Sequence, residues 1–276
     1  MAAAPGRRFM KDALGFEQVI QWYPGHMAAA MRRIGERMPL IDIVIEVIDS
    51  RLAHASRNPM LDRVAGERPR LLVLTREDLA DAAVTMRWLV HLRGCGHDIV
   101  AVNAKSPGSV KQVGVHLSQL AARKKRSQRA MAVGLPNSGK STVINGLLRR
   151  SAARTEDRPG VTRATQWFRV APLLELMDTP GILVPRIQTP QAQWMLAMTG
   201  AIPKERYDPQ DVVDRFYRWL EDRTSGRTKV PDLAAFARAR GFLRRGNTVD
   251  MHNAAQSYIK DFNDGKFGRI SLEEPV

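Results

Sequence analysis

The sequence predicts an α/β fold: a parallel sheet with helices on both faces, followed by a small all-helical domain. Short β-branched and aliphatic runs alternate with segments of helical period, as in a parallel sheet that helices cover on both sides. From about Thr189 only helical patterns follow. We therefore expect a leader over residues 1–20, an α/β domain over residues 21–188 and a helical domain over residues 189–276.

Six apolar runs are predicted to form the sheet, because nearly continuous β-branched runs are typical of strands buried on both faces. They cover Ile41 to Ile48, Leu71 to Leu74, Ile99 to Val102, Met131 to Val133, Gln166 to Val170 and Leu173 to Met177. Helices are predicted after Pro24-Gly25, from Ala82 to Arg93, from Ser109 to Arg126 and from Ser141 to Leu148. The segment ASRNPML, which follows the first strand, is predicted to be a loop.

Composition narrows the possible partners and compartments. The chain has 276 residues and a formal net charge of +15, which favours a polyanionic partner and nucleic acid first. Its single cysteine, Cys95, leaves no internal disulfide framework and indicates a reducing compartment. No apolar run is long enough to cross a bilayer, so we expect no stable membrane insertion. The leader carries Arg7, Arg8 and Lys11 against Asp12, which resembles an organellar transit peptide; a basic N-terminus without a targeting role is the alternative.

The stretch GLPNSGKS, residues 134–141, fits the phosphate-binding pattern G-x-x-x-x-G-K-[ST]. It stands between an apolar run and a helix, where backbone N–H groups and the helix N-terminus can surround a phosphate. Lys140 is expected to reach the β- and γ-phosphates and Ser141 to bind Mg²⁺. The other nucleotide-binding candidates of this loop are Asn137, Ser138, Gly139 and Thr142. A chance Gly-rich turn is the alternative.

A second motif, DTPG, matches the D-x-x-G of GTPases. Asp178 is predicted to hold the Mg²⁺ shell, and the N–H of Gly181 to sense the γ-phosphate during catalysis. Thr162, in PGVTR between the two motifs, has the position of a switch threonine that binds the metal and takes part in hydrolysis. D-x-x-G alone is common, but with a phosphate loop upstream and Thr162 between them it favours a GTPase.

The motifs that read the base lie ahead of the phosphate loop. Guanine specificity normally comes from N-K-x-D and a loop like S-A-K, both downstream of D-x-x-G. Here TRED (Thr75, Arg76, Glu77, Asp78) follows one buried strand, and NAK (Asn103, Ala104, Lys105) follows the next. The order of motifs is therefore rotated, and the segment through Arg126 would join the old chain ends, which usually lie close together in a domain.

These motifs together resemble the circularly permuted ribosome-assembly GTPases of the YlqF/RbgA type, and above all their mitochondrial branch. The resemblance extends over nearly the whole chain. It is carried by WYPGHM, ASRNPM, GLPNSGKS, DRPGVT, DTPGIL, MTGAI and KFGRIS.

The resemblance implies a GTPase that uses GTP/GDP and Mg²⁺ and acts late in maturation of the large ribosomal subunit. Its helical domain would bind rRNA, with ribosomal proteins and other assembly factors as further partners, and hydrolysis would be coupled to release. The mitochondrial matrix is the implied location, with a bacterial cytoplasm as the alternative. His26 would serve hydrolysis, since apolar Ile182 stands where many GTPases have a water-orienting glutamine. A structural histidine is the alternative. Asn137 would help to bind K⁺.

The base motif departs from the family pattern, because TRED keeps only the aspartate of N-K-x-D. Asp78 can still accept hydrogen bonds from guanine N1–H and the 2-amino group, but Thr75 lacks the amide that supports the base and the phosphate loop. Arg76 replaces the packing of lysine imperfectly. We estimate that these departures weaken the free energy of GTP binding by roughly 1–3 kcal/mol. Three functions therefore stay open: an active GTPase, an RNA-binding scaffold without turnover, and, disfavoured by Asp78 and D-x-x-G, a P-loop ATPase or kinase.

Overall fold

The computed structural model describes residues 25–122, 124, 126–152, 167–179, 181, 187, 189–242 and 248–275. The strands are β1 (Ile43–Asp49), β2 (Arg70–Thr75), β3 (Asp98–Val102), β4 (Gln128–Gly134), β5 (Trp167–Ala171) and β6 (Leu174–Asp178). The α-helices are α1 (Gly25–Arg37), α2 (Pro59–Ala65), α3 (Ala82–Gly94), α4 (Pro107–Ala122), α5 (Lys140–Ala152), α6 (Pro190–Met198), α7 (Pro209–Thr224), α8 (Leu233–Ala239) and α9 (Met251–Asn263). The predicted leader and Thr162 lie outside the described residues.

All six predicted strands join one sheet in the order β3-β2-β1-β4-β6-β5. Five are parallel, as predicted, but β5 runs antiparallel to β6, so the expectation of a purely parallel sheet is wrong at this edge. The reason lies in the connection: only Pro172 and Leu173 separate the two strands, and a two-residue link can join only an antiparallel pair.

Helices cover both faces of the sheet, which explains why β1 is buried along its whole length. On one face, α4 and α5 pack on the strands through Val110, Leu117 and Ile144. On the other face lie α1 and α2, with Met31 and Leu61 in their core, and α3. Two predictions about helices were wrong. The segment predicted as a loop contains α2, which Asn58 caps by accepting a hydrogen bond from Met60 N (3.0 Å), and α4 ends at Ala122 instead of Arg126.

The topology confirms the circular permutation. Strand β4, which leads into the phosphate loop, lies in the middle of the sheet between β1 and β6. The chain runs from β3, at one edge of the sheet, through α4 to β4. This is the segment predicted to join the two ends that the domain would have without the permutation. Since β1, β2, β3, β4 and β6 are parallel, their carboxyl ends share one edge of the sheet. The rotated motif order therefore still collects the base and phosphate motifs at one place.

Helices α6 to α9 share a core rich in aromatic side chains, in which Phe216 lies 5.2 Å from Phe262 and Phe236 lies 5.0 Å from Tyr258 between ring centroids. This core also takes in Leu52 from the loop after β1. The domain boundary at residues 188 and 189 stays a prediction. In the described part of the chain, no helix combines the length and apolarity needed to cross a membrane.

Candidate nucleotide-binding site

The phosphate loop follows β4 and ends where α5 begins at Lys140. Gly139 has a φ of +88°, a conformation that side chains rarely adopt, and a Cβ there would lie 3.3 Å from Thr75. Asn137 also has a positive φ, of 58°. Ser138 is buried inside the turn, whereas Ser141 and Thr142 are exposed in the first turn of α5. The loop and helix N-terminus thus have the form of an anion-binding site.

Lys140 and Asp178 meet at this site. The Lys140 Nζ contacts Asp178 Oδ1, and the lysine side chain is nearly buried. The cation that would neutralise the phosphates therefore lies beside the carboxylate predicted to hold the metal shell, and Ser141 is the next residue on α5. Hydroxyl, carboxylate and phosphate oxygens are the ligands that Mg²⁺ prefers, so Ser141 and Asp178 fit the metal. Thr162, the third predicted ligand, lies outside the described residues.

The D-x-x-G motif is packed directly on the phosphate loop. Thr179 Oγ1 donates a 2.7 Å hydrogen bond to the carbonyl of Ala132, which fixes the chain as it leaves β6. Gly181 lies so close to Pro136 that an added Cβ would be 2.9 Å from the Pro136 Cα and backbone N. A side chain at residue 181 would displace one of the two motifs, so glycine is required here for a steric reason.

Thr75 supports the phosphate loop after all. Its hydroxyl lies 2.5 Å from the carbonyl of Ser138 and 3.1 Å from the carbonyl of Ile48, and its side chain is fully buried. The sequence predicts that threonine loses the support an asparagine amide would give; the structure corrects this, because the threonine hydroxyl reaches the loop backbone. Thr75 therefore gives less support to the hypothesis of an RNA-binding scaffold without GTP turnover.

Replacing Thr75 by valine should weaken GTP binding, because valine keeps the shape and removes the hydroxyl that meets Ser138. The buried carbonyl would be left without this donor, at a cost of about 1–3 kcal/mol. Thr75→Ser is the matched control, since it keeps the hydroxyl. GTP dissociation constants from nucleotide titration measure both variants, and equal losses would contradict the role of the hydroxyl.

Arg76 joins the base motif to the phosphate loop and to α9. It has a φ of +57°, and its Nη2 donates to the carbonyl of Asn137 at 2.8 Å while its Nη1 donates to Asn263 Oδ1 at 3.1 Å. Its Nε lies 3.8 Å from Asp49 Oδ2. Burial lowers the pKa of the Arg76 guanidinium, and the charge of Asp49 opposes this shift. The guanidinium of Arg76 is thus committed to three partners around the loop.

The two base segments also meet each other. Glu77 Oε1 accepts a hydrogen bond from the backbone N of Asn103 (3.1 Å), and Asn103 Oδ1 accepts one from the backbone N of Lys105 (3.0 Å). Asp78 is exposed beside them, as a carboxylate that binds a base must be, and Lys105 is exposed while Ala104 is half-buried. TRED and NAK therefore form one surface next to the phosphate loop.

Asn137 turns its side chain toward the helical region. Its Nδ2 donates to the carbonyl of Gly200, at 2.6 Å, just beyond the end of α6. The phosphate loop is thus in direct contact with the MTGAI segment. His26 lies in the first turn of α1, but its side chain is outside the described part of the chain, so its catalytic role stays a prediction.

Sequence reasoning missed a buried cluster below the base motif. Asp49 accepts two hydrogen bonds from the Arg51 guanidinium, at 3.0 Å from Nε and 2.8 Å from Nη2, and a third from the Arg51 backbone N (3.0 Å). Arg51 Nη2 also donates to Asn263 Oδ1 (3.0 Å). The Arg51 guanidinium lies 4.8 Å from the ring centroid of Phe262. Burial by itself would raise the pKa of Asp49, but the charge and hydrogen bonds of Arg51 hold it below the ordinary value. The Asp-Ser-Arg sequence after β1 was the available indication.

Comparison with known proteins agrees with this geometry. A family model described as "50S ribosome-binding GTPase" matches residues 129–211. Ribosome biogenesis GTPase A of Bacillus cereus is 37% identical over 93% of this chain and 94% of its own length. Mitochondrial ribosome-associated GTPase 1 of Bos taurus is 36% identical over 94% of this chain and 90% of its own.

The crystal structure of GNP-bound YlqF from Thermotoga maritima superposes with a TM-score of 0.73 at 28% identity. It covers 90% of this chain and 98% of the YlqF chain. A GDP-bound YlqF gives a TM-score of 0.72. Sequence relatives, fold and motif geometry agree with the resemblance predicted from the motifs: the chain belongs to the family of ribosome biogenesis GTPases.

Proposed function

We propose that this GTPase acts on the large ribosomal subunit, binding its rRNA late in maturation and hydrolysing GTP to leave the particle. The observation that supports this most is the meeting of four motifs at one edge of the sheet, in contact with Gly200 just beyond α6 and with Asn263 of α9. Because Asn137 touches Gly200 and Arg76 touches Asn263, a change at the nucleotide can move the helical region. Ribosomal proteins and other assembly factors are the further partners that we infer.

In hydrolysis, Lys140 would stabilise the charge that develops on the phosphates, and the N–H of Gly181 would bind the γ-phosphate. Ser141, Asp178 and Thr162 would hold Mg²⁺, which would neutralise the negative charge of the phosphates. His26 would orient the attacking water. The guanine base would be read by Asp78, with Thr75, Arg76 and the NAK loop around it.

We also propose that K⁺ assists at the phosphate loop. Asn137 holds Gly200 with its amide nitrogen, so the amide oxygen is the atom that a monovalent cation would take as a ligand. Turnover measured in KCl and in NaCl at equal ionic strength tests this, and equal rates would rule it out.

For rRNA binding, the exposed Arg238 on α8 and Lys260 on α9 are our first candidates in the helical region. Arg240 and Lys266 are less suited, because both contact the carboxylate of buried Asp261, at 2.5 and 2.6 Å. Arg244 and Arg245, two further basic residues of the helical region, lie outside the described residues.

Binding to large-subunit rRNA should weaken steeply with salt, since phosphate contacts release counterions. Arg238→Ala and Lys260→Ala should each lower the slope of log affinity against log salt by roughly 0.7–1 if each contacts one phosphate. Lys111→Ala, at an exposed position of α4, is the matched control. An affinity that does not change between low and high salt would contradict rRNA binding by phosphate contacts.

The experiment that tests the function is GTP turnover by the purified protein with and without large ribosomal subunits. We expect the subunit to raise turnover at least about tenfold, as when one missing transition-state donor is supplied. Small subunits and ATP serve as controls. Turnover that large subunits leave unchanged would overturn the coupling of hydrolysis to release.

We propose the mitochondrial matrix as the location. The basic residues of the leader support it, and relatives named as mitochondrial are about as similar as the bacterial ones. A bacterial cytoplasm is the alternative. Fusing residues 1–20 to a fluorescent protein tests the proposal, and a reporter that stays in the cytosol would contradict it.

A further inference from the structure

Residues 268–274, which we call the return strap, run from the helical region back over the base motif. The backbone N of Ile270 donates to the carbonyl of Leu79 (2.9 Å), and the backbone N of Leu272 donates to the carbonyl of Arg51 (2.8 Å). The buried Ser271 Oγ accepts from the backbone N of Asp81 (3.1 Å). The strap is therefore hydrogen-bonded both to the loop after β2 and to the segment after β1.

Arg269 of the strap holds the base motif most directly. Its Nε donates to the carbonyl of Ala80 and its Nη2 to the carbonyl of Glu77, each at 2.7 Å. These two carbonyls stand on either side of Asp78. A guanidinium presents its N–H groups in a rigid planar fork, so one arginine can fix both carbonyls at a set separation. Two of the N–H groups of Arg269 are therefore bound to the backbone of the loop that carries Asp78.

The loop around Asp78 needs such support. Asp78 is exposed, and the residue two positions before it, Arg76, has a positive φ that its surroundings must maintain. A carboxylate that accepts two hydrogen bonds from a base must be held within about 0.5 Å of its position. Within the loop itself, the backbone bond from Leu79 N to the Arg76 carbonyl (2.9 Å) closes the turn. Arg269 stabilises the same loop from outside through its hydrogen bonds to the carbonyls of Glu77 and Ala80.

We propose that Arg269 is a positioning residue for guanine recognition: it fixes the backbone that carries Asp78, so base specificity depends on the strap. The inference rests on the proposed function, in which Asp78 reads the base. It adds that the helical region takes part in nucleotide selection and does not serve RNA binding alone.

The measured quantity is the ratio of the affinity for GTP to the affinity for inosine triphosphate (ITP). Inosine lacks only the 2-amino group, which is one of the two groups that Asp78 would bind. A well-placed Asp78 should favour GTP by roughly tenfold, the effect of one hydrogen bond to a charged group. General destabilisation of the fold lowers both affinities together and leaves the ratio unchanged, so the ratio separates positioning from stability.

We expect Arg269→Ala to weaken GTP binding by roughly tenfold and to reduce the GTP/ITP ratio to about one, because both carbonyl contacts are lost. Arg269→Lys should keep an intermediate ratio, since an ammonium group lacks the fork. Arg218→Ala, on the exposed side of α7, is the matched control and should keep the ratio. Asp78→Ala tests the base assignment itself and should also bring the ratio to about one.

If Asp78→Ala lowers the ratio and Arg269→Ala does not, the positioning role is overturned while the proposed function stands. If Asp78→Ala also leaves the ratio unchanged, the base assignment fails and the inference fails with it. Should Arg269→Ala not fold, Ser271→Ala provides a second test, because it removes the acceptor for Asp81 N from the same strap. An unchanged ratio in both Arg269→Lys and Ser271→Ala would then overturn the inference.

Discussion

Lys140→Ala should reduce kcat/KM for GTP by about a thousandfold or more, because it removes the charge that stabilises the phosphates in the transition state. It should also weaken GTP binding by roughly ten- to a hundredfold, as expected for one charge-assisted pair. The variant should remain folded, since the carboxylate that loses its partner, Asp178, has a side chain that is already 40% accessible. Turnover assays and nucleotide titration measure the two effects.

Lys111→Ala is the matched control for this prediction, because it removes a lysine from an exposed position of α4 without touching the site. Its kinetic constants should stay close to those of the parent protein. A Lys140→Ala variant that keeps more than about a tenth of the parent kcat/KM would contradict the placement of the phosphate loop at the reaction centre.

Arg51→Ala should lower the free energy of unfolding by about 3–5 kcal/mol at pH 7, because it leaves the buried carboxylate of Asp49 without its main partner. Arg51 is 1% exposed, and it also contacts Asn263 Oδ1 and the ring of Phe262. The variant should therefore loosen the helical region as well as the loop after β1. Urea unfolding followed by circular dichroism measures the loss.

The same variant has a defined pH dependence. In the parent protein the pKa of Asp49 is lowered by folding. The contribution of Asp49 to stability is therefore present above its pKa in the unfolded chain, about 3.9, and is lost as pH falls through its pKa in the folded protein. Without Arg51, burial should raise the pKa of Asp49, so the variant gains relative stability as the carboxyl protonates. The difference in the free energy of unfolding between the parent protein and Arg51→Ala should shrink from pH 7 to pH 4. A constant difference would show that lost packing, not charge, causes the effect.

Adding Asp49→Asn to Arg51→Ala is the control for the charge. The double variant removes the buried charge and should recover part of the lost stability. No recovery would contradict the electrostatic account, because the single variant would then owe its instability to the lost contacts with Phe262 and Asn263.

Local patterns predicted most of the α/β architecture. Strand β1 could be found because its β-branched run is buried on both faces, and the phosphate loop because its residues are contiguous. Strand β5 was predicted, but its antiparallel direction was missed, since the direction depends on the two-residue link at Pro172 and Leu173 and not on the side chains of β5. Helix α2 was missed because Asn58 and Pro59 favour a turn as well as a helix start.

The candidate site could be predicted only in part, for a different reason. Lys140 and Asp178 belong to motifs whose spacing indicates their chemistry. The support of Thr75 for Ser138, 63 residues away, depends on how β2 and the loop lie in space. Arg269 and Asn263 contact residues about 190 positions earlier in the chain, at 2.7 Å from the Glu77 carbonyl and 3.1 Å from Arg76 Nη1. No local pattern carries such information.

The circular permutation also sets the order in which the site is completed during synthesis. The base motif after β2 leaves the translating ribosome early, while β1 still has an unpaired edge that only β4 will cover. The phosphate loop and D-x-x-G follow, and residues 268–274, which clamp the base motif through Arg269, follow after them. If Arg269 positions Asp78 as we propose, a nascent chain that lacks those residues would bind phosphates before it could distinguish guanine from other bases.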